Sequence, residues 1–244
     1  MRGIRDTAIL TGLLFRRLRG DFLAFAGASL VLPACGCYAA FMIAADDPAT
    51  LHRWVAGSLV LALGLASLAH VCMAMAQDRH GGALALLRPL ALGRGAHLAS
   101  YLVLGVVLAL IVAGCAAVLL VATGLEEASP VLVARLGLSA VLGGFSLGAL
   151  GAAIGAHAPS IGASDVGAGA ASIGLVLLSP VFYSQDALHP MLKAITWTSP
   201  YTHLAKLMPH SADATSLPMS SVLSLALFGS VASVVALSRP PGGP

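Results

Sequence analysis

Long apolar runs separated by short polar stretches form the dominant pattern of this chain. An α-helix needs about 20 consecutive apolar residues to cross the roughly 30 Å hydrocarbon core of a bilayer, so such runs predict membrane-spanning helices. The six predicted spans cover residues 22–45, 54–76, 98–121, 131–156, 166–183 and 217–237. The fifth is short, rich in glycine and carries Pro180 near its end, and a broken or re-entrant segment is the alternative for it.

Residues 1–20 precede the first span and predict a helix that lies in the membrane interface. A helix there places several apolar side chains near one face, and arginines on the remaining surface can bind anionic headgroups. The alternative is a flexible basic tail. The apolar residues are Ile4, Ile9, Leu13 and Leu14, and the arginines are Arg5, Arg16 and Arg17.

Residues 184–217 lie between the fifth and sixth spans and are too polar to form a span. Their apolar positions recur at helical spacing, which predicts short amphipathic helices on the outer membrane surface. Since the residue before a proline avoids helical geometry, we expect a break before Pro200.

Small residues recur at four-residue spacing in the fourth span. Gly144 and Gly148 form one such pair, and Gly151 and Gly155 form another. This spacing lets two helix backbones approach closely in lipid, where packing drives association. Packing within the chain is the preferred interpretation, and a dimer seam is the alternative.

The composition agrees with a membrane protein. Of 244 residues, 58% are hydrophobic and only 9% are charged, and the mean hydropathy is +0.93. A soluble domain carries roughly 25% charged residues, so this chain cannot cover a water-facing surface with charge. We therefore predict one all-α membrane domain over residues 1–244, in contact with lipid and without a nucleic-acid partner.

The positions of lysine and arginine predict the orientation. If the N-terminus is cytoplasmic, nine basic residues fall on the cytoplasmic side and four on the outer side. Because cytoplasmic loops carry an excess of these residues, we expect both termini inside a plasma or inner membrane.

A basic segment at residues 78–97 interrupts the pattern between the second and third spans. Arg79, Arg88 and Arg94 flank an apolar middle, and Pro89 predicts two short helical pieces instead of one. A short cytoplasmic helix of this kind can act as a lever between its two spans. The alternative is a passive interfacial loop.

Other residues with chemical potential favour plain interpretations. The cysteines, which all fall in apolar runs, are predicted to be small buried residues: Cys35, Cys37, Cys72 and Cys115. The remaining candidates are ionisable residues that we expect to be hydrated near an interface: His70, His157 and Asp165 at the cytoplasmic ends of spans, and His189, His203 and His210 on the outer side. A metal site formed by the three outer histidines is the alternative for that group. The chain contains no G-x-x-x-x-G-K-[ST] phosphate loop.

The basic segment and residues 184–217, called the outer segment below, together resemble the permease subunits of type-2 ATP-binding-cassette (ABC) exporters. In that family the segment forms a coupling helix that docks on the ATPase. The corresponding coupling residues here are Asp78, Arg79, Gly81, Gly82, Leu86, Leu87, Arg88, Pro89 and Arg94. The usual Glu of the family motif is missing, and Gly82-Ala83-Leu84-Ala85 stands in its place.

The outer segment resembles the outer gate or re-entrant segment of the same family. Ser199 replaces the usual Asn of the family before Pro200. The residues that the resemblance assigns to this gate lie at the end of the fifth span and in the outer segment: Pro180, Phe182, Tyr183, Pro190, Pro200 and Tyr201.

This resemblance implies that the chain moves a hydrophobic or amphipathic substrate, such as a drug, lipid or peptide, outward. ATP and magnesium are expected on a separate nucleotide-binding subunit, with no cofactor on this chain. A second permease subunit is expected to complete the path. The alternatives are a secondary transporter, which usually shows internal repeats and charges at the midplane, and an intramembrane enzyme.

Overall fold

The computed structural model describes residues 2–18, 31–44, 47–82, 94–125, 127, 129–183, 188–208 and 218–238. Within these ranges all regular structure is helical. The helices are α1 Arg2–Leu18, α2 Leu32–Ala44, α3 Pro48–Gly64, α4 His70–His80, α5 Arg94–Ala122, α6 Pro130–His157, α7 Ile161–Leu177, α8 Pro190–Thr196, α9 Pro200–Leu207 and α10 Met219–Ser238, with a π-helical segment Leu65–Ala69 joining α3 to α4.

Among the described residues, four helices are long and apolar enough to cross a membrane. They are Thr50–His80, Arg94–Ala122, Pro130–His157 and Met219–Ser238, which coincide with the second, third, fourth and sixth predicted spans. The all-α membrane architecture is therefore confirmed, whereas the count of six spans stays a prediction.

The other two predicted spans are described differently. Helix α7 has 17 residues, begins at Ile161 and ends at Leu177, earlier at both ends than predicted. It ends three residues before Pro180, and residues 178–183 form turns and bends. Of the first predicted span, the structure describes only 31–44, and residues 22–30 and 45 lie outside the described part.

Local sequence signals set the helix starts. Ser129 precedes α6 and accepts a hydrogen bond from the Leu132 N–H at 3.1 Å, and Ser160 does the same for the Ala163 N–H at the start of α7. Such caps satisfy amide groups that have no partner inside the helix. Proline occupies the first helical position of α6, α8 and α9, where its fixed backbone angle suits helix entry.

Helix α6 lies at the centre of the bundle, between α5, α10 and the segment formed by α4 and the π-helix. Four of its glycines face these neighbours at backbone distance. A Cβ at Gly144 would lie 2.6 Å from Val106 Cα of α5, and one at Gly148 would lie 3.5 Å from Gly105 Cα. Gly151 and Gly155 lie instead against the backbone carbonyls of Leu68 and Cys72. All four glycines thus pack within the chain.

Helix α1 packs on α5 through one apolar edge. Leu10 and Leu14 are buried there, whereas Ile4, Ile9 and Leu13 are exposed. The predicted helix is therefore present in the described residues, but its apolar side chains divide between two environments. The interfacial position of α1 stays a prediction.

Adding one methyl group at Gly144 should destabilise the bundle. The new Cβ meets backbone atoms of α5 that cannot rotate away, and overpacking of this kind costs about 1–3 kcal/mol. Gly144→Ala should therefore lower the midpoint of thermal unfolding in detergent.

Gly137→Ala in the same helix is the matched control, because a Cβ there meets nothing within 4 Å. Alanine favours a helix over glycine by about 1 kcal/mol, so this variant should be neutral or slightly more stable. Equal midpoints for the two variants would contradict close packing at Gly144.

Candidate coupling site

Two glycines end helix α4 and turn the chain toward residues 83–93, which lie outside the described part. The Gly81 N–H donates to the Gln77 carbonyl at 2.7 Å, and Gly82 has a φ of +76°. Only glycine adopts such an angle without a steric cost, and it is the usual residue just beyond a helix end. The glycine pair of the predicted coupling region therefore serves helix termination.

A buried hydrogen bond joins the last turn of α4 to the first turns of α5. The Tyr101 hydroxyl donates to Asp78 Oδ2. Tyr101 is fully buried and Asp78 is 6% exposed, and the His97 ring meets the Tyr101 ring edge-on, with centroids 4.8 Å apart. This bond holds together the two helix ends that flank residues 83–93.

The residues that follow Asp78 bind the far end of α6. Arg79 Nη1 donates to the carbonyls of Ala156 and Ala158, the second at 3.2 Å, and His80 Nε2 lies 3.2 Å from the Ala158 carbonyl. A helix leaves its last carbonyls without internal partners, and a cation stabilises them. Arg79, predicted as part of the coupling region, therefore contacts α6.

The remaining coupling residues divide between described and undescribed parts of the chain. Arg94 is exposed at the first position of α5. Leu86, Leu87, Arg88 and Pro89 lie outside the described residues. The described part of the site is thus a junction of α4, α5 and α6, called the coupling junction below, with Asp78, Arg79 and Tyr101 at its centre.

The outer segment begins at the opposite end of the bundle, after α7. Phe182 packs against Trp54 of α3, with ring centroids 5.3 Å apart, and lies over Gly57. The Tyr183 hydroxyl donates to the Leu177 carbonyl at 2.9 Å. Pro180 lies in the turn between α7 and these rings.

Helix α9 is buried between other helices, so the prediction that it lies on the membrane surface is wrong. Tyr201 reaches Gly64, which falls near the middle of the span Thr50–His80, and Leu204 covers Gly143 near the middle of Pro130–His157. Its amphipathic pattern serves a protein groove, where apolar residues meet helices. Helix α8 differs, since its Met191, Leu192 and Ile195 are exposed.

Serine hydroxyls hold α9 against the end of α7. Ser179 Oγ and Ser199 Oγ are 2.6 Å apart, and both reach the Leu175 carbonyl. Ser199 stands where the family resemblance has Asn, and here its hydroxyl binds the last turn of α7. Thr202 adds a bond to the Thr196 carbonyl at 2.6 Å, which fixes the angle between α8 and α9.

The arrangement agrees with one known family. The family model described as ABC-2 type transporter matches residues 7–211, which include both the coupling junction and α9. The chain belongs to the ABC-2 type transporter family. It is thus a multi-pass permease subunit of an ABC transporter, of the kind that pairs with a nucleotide-binding ATPase subunit. A comparison with curated proteins gives no match.

Two further predictions about this ABC-2 permease need correction. His203 is buried, where a hydrated histidine was expected. Cys35 and Cys115 are exposed, and only Cys72 is buried among the cysteines whose side chains are described. Cys72 donates to the Ser164 carbonyl at 3.4 Å and so ties α4 to α7. An apolar residue in a span can face lipid or protein, which composition alone does not separate.

His203 sits in a compact polar cluster beside the start of α10. Its Nε2 lies 2.8 Å from the Trp197 carbonyl, and its Nδ1 lies 3.3 Å from Ser221 Oγ. Lys206 Nζ lies 3.4 Å from the centroid of the Trp197 ring. Burial lowers the pKa of His203; the bond to the Trp197 carbonyl opposes this shift, and the Lys206 charge adds to it.

The other ionisable candidates do not assemble into a site within the described residues. His189 caps α8, and Asp165 and His157 are exposed near the coupling junction end of the bundle. His70 Nδ1 lies 3.2 Å from the Leu65 carbonyl. His210 lies outside the described residues, and within them no group of three or more potential ligands could hold a metal ion.

Removing the Tyr101 hydroxyl should weaken the coupling junction. Tyr101→Phe removes a hydrogen bond to a buried carboxylate, and the loss of a hydrogen bond of this kind costs about 1–3 kcal/mol. The free energy of unfolding, measured in mixed detergent micelles, should fall by that amount. Tyr38→Phe is the control, because Tyr38 is exposed on α2. Equal losses in the two variants would show that the Asp78 bond adds nothing.

Protonation of His203 should destabilise the permease at acid pH. Its folded-state pKa lies below the ordinary value, so the unfolded chain takes up the proton first. The free energy of unfolding attributable to His203 should fall as the pH drops through about 6.5. His203→Gln removes this titration, and its unfolding midpoint between pH 8 and pH 5 should change less. Parallel pH curves for the two proteins would refute this assignment.

Proposed function

We propose that this chain is the permease subunit of an ATP-driven exporter. A separate nucleotide-binding subunit binds ATP and magnesium, and a second permease subunit, identical or related, completes the transport path. The family assignment supports a permease. The chain itself contains no G-x-x-x-x-G-K-[ST] loop, which agrees with ATP binding on a partner.

The coupling junction carries this proposal. The bond between Tyr101 and Asp78 ties α4 to α5, and the bonds of Arg79 tie α4 to α6. Buried polar bonds are electrostatically stronger than exposed ones, so the three helix ends move together. A force applied by an ATPase at residues 83–93 would therefore act on three spans at once.

The proposed orientation of the chain decides on which side of the membrane the ATPase would act. The excess of basic residues favours a cytoplasmic position for the coupling junction and for both termini. Helices α8 and α9 then face the outer side of the cell membrane. ATP binding would shift an equilibrium between two packed arrangements of the spans, with access alternating between the two sides.

The transported substrate is proposed to be hydrophobic or amphipathic. The long described helices carry few charges, and the exposed side chains of α10 and of the shorter helix α7 are mainly aliphatic. Such a surface offers dispersion and burial of apolar area and few ionic contacts. A drug-like molecule, a lipid or an apolar peptide fits these properties.

Charge reversal in the coupling region tests the proposed docking. The full chain is tagged and purified from membranes, and the ATPase activity that co-purifies is measured. Arg88→Glu or Arg94→Glu should reduce the recovered activity about tenfold, which corresponds to about 1.4 kcal/mol of binding free energy. The amount of permease inserted in the membrane should not change.

Arg53→Glu is the matched control, because Arg53 lies on α3 at the opposite end of the bundle. It should leave the co-purified ATPase unchanged. Full recovery of ATPase with both Arg88→Glu and Arg94→Glu would contradict docking at this segment. Transport by the purified chain without any ATPase would contradict the proposed function as a whole.

A further inference from the structure

The π-helical segment Leu65–Ala69 interrupts the span Thr50–His80 close to its middle. A π-helix changes the hydrogen-bond step of a helix for one turn, and such turns occur frequently at functional sites and at bends. The halves on either side, α3 and α4, therefore need not move as one rigid rod. What contacts this turn decides which motions pass through it.

On one side the π-helical segment contacts α5 and α6. Ser67 is fully buried and donates to the Gly105 carbonyl of α5 at 3.3 Å. The backbone of Leu68 lies against Gly151 of α6. Helix α4, which continues from this point, ends at the coupling junction. The half of the span that α4 forms is thus fixed to α5 and α6 both at the π-helical segment and at the coupling junction.

On the other side the turn meets helix α9. Gly64 directly precedes the π-helical segment, and the Tyr201 ring and hydroxyl occupy the space where a Cβ would be. Tyr201 is fully buried. No side chain other than hydrogen fits at Gly64 while Tyr201 keeps this position, so the Tyr201 side chain lies directly against the backbone that precedes the π-helical segment.

The Tyr201 hydroxyl is poorly satisfied in this arrangement. It interacts with Ser172 of α7, but among the described residues neither hydroxyl makes a hydrogen bond of standard geometry. Buried hydroxyls almost always have such a bond, and an exception calls for an explanation. Packing against Gly64, and not a hydrogen bond of standard geometry, therefore keeps the Tyr201 hydroxyl in its place among the described residues.

We infer that Tyr201 is a positioning residue, and that its contact with Gly64 and the π-helical segment is the joint that transfers motion from the coupling junction to α8 and α9. The inference rests on the proposed function, because an ATPase must supply the motion. Tyr201 itself need not touch the transported substrate. Its hydroxyl sets where α9 stands relative to the turn.

Distances between spin labels in the complex with the partner ATPase test this joint. One pair, Val131 and Leu192, reports on the α8 end, and the other, Ile9 and Ile161, reports on the coupling junction end; all four side chains are exposed. The native cysteines are first replaced by serine. Distances are measured with ATP, magnesium and vanadate and compared with those of the nucleotide-free complex.

In the unsubstituted permease both distances should change with nucleotide. In Tyr201→Phe, which keeps the ring, the change at the coupling junction end should remain and the change at the α8 end should be lost. Tyr38→Phe is the matched control. It removes a hydroxyl from an exposed tyrosine on α2, which has no assigned role in the outer segment, and both responses should persist.

A second pair of variants separates folding from transfer. Gly64→Ala adds a Cβ that overlaps Tyr201 and should lower the yield of folded protein. Adding Tyr201→Leu removes the overlap and should restore the yield, while the α8 end should still fail to respond. A normal α8 response in the folded double variant would overturn the inference.

The outcomes distinguish this inference from the function on which it rests. If nucleotide changes neither distance in the unsubstituted complex, the proposed function fails and the joint fails with it. If the coupling junction end responds and Tyr201→Phe responds normally at the α8 end, the joint alone is wrong. Loss of both responses in Tyr201→Phe would also overturn it, because Tyr201 would then act on the whole fold.

Discussion

The structure depends on the close approach of helix backbones around α6. In a bilayer the lipid tails are as apolar as the side chains, so burial of apolar area does not drive two helices together. Close packing between complementary helix surfaces brings the helices together instead. Gly144 and Gly148 bring the backbone of α6 onto α5, and Gly151 and Gly155 bring it onto the span Thr50–His80. The remaining helices arrange around this packed group.

Several polar side chains lie where helices end, and there they bind neighbouring elements. Asp78 and Arg79 are adjacent in sequence yet bind different helices, α5 and α6. At the opposite end, Ser199 and His203 bind the ends of α7 and α10. Close backbone packing and the bond of Ser67 to Gly105 thus hold the middle of the bundle, and further directional bonds fix the positions of its ends. A transporter needs both, since motion must be resisted in one region and transmitted in another.

The sequence predicted the helices that are defined by length and apolar content, and it predicted less about what contacts them. Four long spans were found because composition over about 20 residues reflects the bilayer thickness. Helix α9 was misplaced, because an amphipathic pattern looks alike on a membrane surface and in a protein groove. Arg79 was read as part of a docking surface, since nothing near it in sequence reveals the α6 carbonyls that it binds. The π-helical segment has no composition signal, and the role of Tyr201 depends on Gly64, far away in the chain.

The hydrogen bond between Tyr101 and Asp78 joins the end of α4 to the start of α5, the two points between which residues 83–93 run. The spacing of these helices is then set by the bond and by packing, and the amino acids between them do not determine it. If the ATPase docks there as proposed, that stretch can vary for recognition while the fold is maintained by other positions. A permease built in this way can diverge to match a different motor protein without redesigning its transmembrane body.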